Sequence, residues 1–130
     1  MENTKPIHCT YKPYDDNIHE FIIHESSRLA VDQMVEYISE VMEKTSDDEA
    51  PLYLIDNSQV AAVPLKYLAQ RIREVNHNRP RERKPGHIAI LYEGIIGDVA
   101  NILLRSAMIN KFRFFAPAKR DEAIEWLKNS

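Results

Sequence analysis

A chain of 130 residues, 44% hydrophobic and 28% charged, has enough apolar material for one domain with a real core, which argues against disorder. Its net charge of -3 and pI near 5.9 weigh against nucleic acid as a main partner. The single cysteine, Cys9, cannot form an internal disulfide, no apolar run approaches the roughly 18 residues of a membrane span, and the N-terminus lacks the apolar centre of a signal peptide. These features predict one cytoplasmic domain over 1–130, with 1–5 as a loose tail.

In chain order, Ile7–Tyr11 reads as an edge strand with Ile7, Cys9 and Tyr11 on one face. Tyr14-Asp15-Asp16-Asn17 reads as a turn and Ile18–His24 as a second strand, so a hairpin is expected to open the fold. After Glu25-Ser26-Ser27-Arg28, the three- and four-residue spacing of Val31, Met34, Val35, Ile38, Val41 and Met42 predicts a helix over Ala30–Lys44. A polar loop, Thr45–Glu49, leads to Pro51 and the short apolar run Leu52–Ile55, which is strand-like in length. Asp56-Asn57-Ser58 ends that strand with residues that bond their own backbone. Pro64 suits the first turn of a helix expected over Leu65 to about Asn76, burying Leu65, Leu68, Ala69, Ile72 and Val75.

The segment from Asn76 to Gly86 is the most charged loop, and its arginines, with Glu82 among them and no interleaved aromatics, read as a solvated loop. His87–Tyr92 is apolar without alternation, the pattern of a central strand covered on both faces. Glu93–Asp98 connects it to a helix over Val99–Asn110, with Asp98 placed as N-cap. Val99, Ala100, Ile102, Leu103, Leu104, Ala107, Met108 and Ile109 are spread round most of that helix, so more than one side requires cover. Phe112–Phe115 is a short aromatic strand, and a last helix follows over Lys119–Lys128. The order β-β-α-β-α-β-α-β-α predicts an α/β domain: a single mixed, largely parallel sheet of 4–5 strands flanked by about four helices.

This order from Ile18 onward, Leu54-Ile55-Asp56-Asn57-Ser58-Gln59-Val60 leading into a helix, and Phe112-Arg113-Phe114-Phe115 followed by Glu122–Leu127 together resemble the STAS family. These are the sulfate-transporter and anti-sigma-factor-antagonist domains, with the stand-alone bacterial members the best match. The resemblance implies a STAS-like fold and a regulatory role in binding a protein or small ligand. Many antagonist members carry a phosphorylated serine in an Asp-Ser-Gly context before the second helix. The matching positions here are about Pro64 and Leu65, which cannot accept phosphate, and Ser58 lies earlier in the loop.

Strand ends and the loops after them are where α/β sheets meet ligands. The candidate binding surface is accordingly Asp56, Asn57 and Ser58 together with Glu93, Gly94, Gly97 and Asp98. The candidate dimer or ligand helix presents Val99, Ile102, Leu103, Ser106, Met108 and Ile109. With three glycines the chain has no phosphate loop, and Gly94-Ile95-Ile96-Gly97 is no dinucleotide fingerprint. His8, His19, His24, His77 and His87 lack metal-ligand spacing, and no serine sits in a nucleophile elbow. With the role that the STAS resemblance implies, the reading is a non-catalytic regulatory or protein-binding STAS-like module without the usual phosphorylatable serine, cofactor or metal, acting as a homodimer. A carrier of a small hydrophobic ligand or lipid, and a small hydrolase-type enzyme, are the alternatives.

Overall fold

The structure, a computed structural model, describes residues 7–14, 17–46, 48–59, 64–78, 86–92 and 111–130. Strands β1 (Cys9–Pro13), β2 (Ile18–Ile23), β3 (Leu52–Asp56), β4 (His87–Leu91) and β5 (Lys111–Phe115) form one sheet in the order β1-β2-β3-β4-β5. β1 runs antiparallel to β2, and β2 through β5 are mutually parallel. Helices α1 (Arg28–Lys44), α2 (Leu65–Asn78) and α3 (Arg120–Lys128) flank it, the last preceded by a 3-10 turn at Pro117–Lys119. The expected third helix, over Val99–Asn110, lies outside the described residues.

The opening hairpin forms within the chain, but its first strand is displaced from the expected Ile7–Tyr11. Ile7 is 69% exposed and precedes the sheet, while the strand continues through Pro13 to the turn. Antiparallel register explains this, because pairing Cys9 with Ile23 carries the ladder on to Pro13 opposite His19. Asn17 supplies the left-handed backbone of the turn at φ 66°, and the Tyr14 amide donates to the Ile18 carbonyl at 2.7 Å.

α1 starts two residues ahead of the expected Ala30. Ser27 is the reason: in extended conformation, its hydroxyl accepts from the Ala30 amide and caps the first turn. α2 runs two residues past the expected Asn76. β3, β5 and α3 differ from expectation by one residue at an end, and β4 stops at Leu91.

Alternation along the strands divides the core between the two faces of the sheet. On one face, Phe21, Ile23, Tyr53, Ile55, Ile88 and Ile90 pack with Ala30, Val31, Met34, Val35 and Val41 of α1 and Leu68 of α2. On the other, Ile18, Leu54, Ala89 and Leu91 pack with Ala123, Ile124 and Leu127 of α3. The unbroken apolar run of β4 is thus covered on both sides, as its sequence requires. α1 and α2 are locked together by Tyr67, whose hydroxyl donates to Asp32 at 2.5 Å, and by Arg71, which reaches both Asp32 and Glu74.

Candidate functional site

Asp56 ends β3, and Asn57 extends its backbone pairing by one residue, donating to the Leu91 carbonyl at 2.9 Å. The chain then turns: the Ser58 amide donates to Asp56 Oδ1 at 2.9 Å, the local bond that makes aspartate a strand terminator. Asp56, Asn57 and Ser58 are therefore brought together at the carboxyl end of a central strand, as the sequence predicts. Glu93, Gly94, Gly97 and Asp98 lie outside the described residues. So do Val99, Ile102, Leu103, Ser106, Met108 and Ile109.

A charged group that sequence reasoning missed sits beside the turn. Glu20 belongs to the face of β2 that packs beneath α3 and is 1% exposed. A carboxylate there needs a partner. It accepts a hydrogen bond from Arg120 Nη2 at 2.8 Å, across one hundred residues of sequence. The other guanidinium arm, Nη1, lies 3.9 Å from Asp56 Oδ2, and the ring of Tyr14 sits 6.0 Å from the guanidinium carbon. Bonding to Glu20 raises the Arg120 pKa further, so the cation is permanent. Arginine at the first residue of a helix opposes the helix dipole, and the paired carboxylates offset that cost.

Asn57 faces the opposite side of the sheet and is 5% exposed; its Oδ1 has no hydrogen-bond partner among the described residues. His24, following β2, bridges Thr10 through Nε2 at 2.6 Å and Gln59 through Nδ1 at 3.0 Å, tying the turn's far side to the hairpin. The turn is thus held from α3, from β4 and from β2.

Cys9 is fully buried, and burial pushes its thiol up to about 12, so a thiolate nucleophile is out of reach at neutral pH. No group of three histidine, cysteine, aspartate or glutamate side chains suited to a metal ion occurs among the described residues. No helix among the described residues is long and apolar enough to cross a membrane.

No protein-family model matches the chain, and no curated protein matches it. Among solved structures it is similar to an uncharacterized protein of the DUF3478 family with a SpoIIAA-like fold, from Shewanella loihica PV-4. The two share 18% identity with a TM-score of 0.60 over 98% of this chain and 99% of that one. At that identity the likeness is one of fold: a five-stranded mixed sheet with flanking helices, STAS-like.

Proposed function

We propose that this chain is a non-catalytic regulatory module that binds a partner protein through the Asp56–Ser58 turn and works as a homodimer. The observation that carries the reading is how the turn is held. Asp56 is engaged by Ser58 and Arg120, and the backbone of Asn57 by β4, so the carboxylate and the backbone of the turn are committed to fixing a surface rather than free to move protons. A rigid polar turn at a strand's carboxyl end is a place for docking, since little ordering entropy is lost on contact. The STAS-like fold agrees with a binding role, although a shared fold alone does not assign one.

The homodimer part rests on the sequence of Val99–Asn110, whose apolar residues exceed what a single buried stripe needs. Light scattering at micromolar concentration is expected to give twice the chain mass of 15.1 kDa. Ile102→Glu or Met108→Glu is expected to return a soluble, folded monomer. A wild-type protein that is monomeric at that concentration removes the dimer from the account. A bound apolar molecule found by native mass spectrometry would move the same helix to the carrier reading.

A further inference from the structure

We propose that β5 is the open edge of the sheet and takes up an extended acidic segment of a partner protein as an added strand. This surface is separate from the Asp56–Ser58 turn, which ends a strand two places away, and its test does not depend on that turn.

The sheet ends in β1 on one side and β5 on the other, and the two edges are built differently. At β1, the His24 amide donates to the His8 carbonyl and the Tyr14 amide to the Ile18 carbonyl. Those bonds fix the alternation of the ladder. Thr10 and Lys12 turn their backbone groups toward β2, whereas Cys9, Tyr11 and Pro13 turn theirs outward. An incoming strand finds little to pair with there. The Cys9 amide already donates to Gln33 Oε1 at 2.9 Å, and Pro13 has no N–H to give.

At β5, the Lys111 amide donates to the Gly86 carbonyl at 3.2 Å, and the Phe115 carbonyl accepts from the Tyr92 amide at 3.0 Å. Lys111, Arg113 and Phe115 therefore turn their backbone toward β4, and Phe112 and Phe114 point both N–H and C=O away from it. No described residue pairs with those groups. The two phenylalanine rings meet edge to face at 5.7 Å and pack against the core on the α1–α2 side, which anchors the strand. An anchored strand with outward donors and acceptors is what strand addition requires.

Charge selects the occupant. The side chains of Lys111 and Arg113 stand exposed on the other face, with no carboxylate partner among the described residues. The Arg113 guanidinium lies 5.0 Å over the Phe115 ring, so its charge stays above β5. Pairing β5 with its own copy about a two-fold axis at Phe112 or Arg113 would set cation opposite cation, which guards the edge against self-association. A strand with acidic side chains at alternate positions meets both cations on one face and lays its intervening apolar residues beside Phe112 and Phe114.

NMR titration of the full chain with a short end-capped peptide alternating glutamate and valine tests this. The Phe112 and Phe114 amides are expected to shift and their exchange to slow several-fold, with the Tyr11 amide unchanged. The matching lysine–valine peptide should leave the chain unperturbed. Lys111→Gln combined with Arg113→Gln, both at exposed positions, should weaken glutamate-peptide binding several-fold while the rest of the spectrum stays native. Binding without protection at Phe112 and Phe114 would reduce the site to a loose charge contact and overturn the added strand. No binding at about 1 mM peptide, protection at β1 instead, or equal binding of the lysine peptide or by the double variant would overturn it as well.

Discussion

Arg120→Ala is expected to lower the free energy of unfolding by about 3 kcal/mol, read from urea denaturation. The loss comes from Glu20 rather than from the arginine. Truncation leaves a carboxylate that is 1% exposed without the donor 2.8 Å away, in the middle of a covered strand. Arg120 itself is 33% exposed, so water can reach the vacated space and keep the loss at the lower end of what a broken buried pair costs. Arg120→Lys should recover only part of it, because a point charge cannot reach Glu20 and Asp56 with two separate arms. Glu20→Met combined with Arg120→Met should restore most of the stability, since no buried charge remains unpaired. A loss below about 1 kcal/mol for Arg120→Ala would place this pair with ordinary surface ion pairs.

Gly86→Ala is expected to cost about 2–3 kcal/mol, the cost of overpacking against atoms that cannot move away. Gly86 enters β4 directly beside the start of β3, and a Cβ there would meet the Pro51 carbonyl oxygen at 2.6 Å. That oxygen is fixed, accepting from the His87 amide at 2.9 Å, and the Gly86 carbonyl in turn accepts from Lys111 at 3.2 Å. The added methyl therefore pushes on the β3–β4–β5 junction from its backbone side. Pro51 Cγ at 3.0 Å and Tyr53 Cε2 at 3.2 Å crowd the same point. Pro51→Ala in the Gly86→Ala background should rescue little, because the closest contact is with backbone. A cost within about 0.5 kcal/mol, the range of neutral surface changes, would show that the strands are not this close.

Most of the architecture was legible from periodicity. The spacing of Val31, Met34, Val35, Ile38 and Val41 marked α1, and the unbroken His87–Tyr92 run marked a strand covered on both faces. What shifted was set by single hydrogen bonds. Ser27 moved the start of α1, and the register with β2 moved β1 from Ile7–Tyr11 to Cys9–Pro13. The Asp56–Ser58 turn was readable because its defining bond is local.

The Glu20–Arg120 pair was not readable, and for the opposite reason. The only available signal, a charged residue between Ile18 and Ile22 in a largely apolar strand, was not used in reading the chain. Nothing in the sequence distinguished Arg120 from the other 16 basic side chains, since the contact spans two elements with no local geometry linking them. The histidine bonds of the hairpin were hidden in the same way, because spacing showed no metal set and register alone revealed the pairs.

The account turns on the Asp56–Ser58 turn as the docking surface. Its most direct test is a photo-crosslinking side chain placed at Ser58 in the full chain, in the cells that make the protein, with the same group at exposed Glu43 of α1 as control. A discrete protein adduct from position 58, absent from position 43, is the predicted result. Equal adducts from both positions, or an adduct from 43 with none from 58, would contradict it.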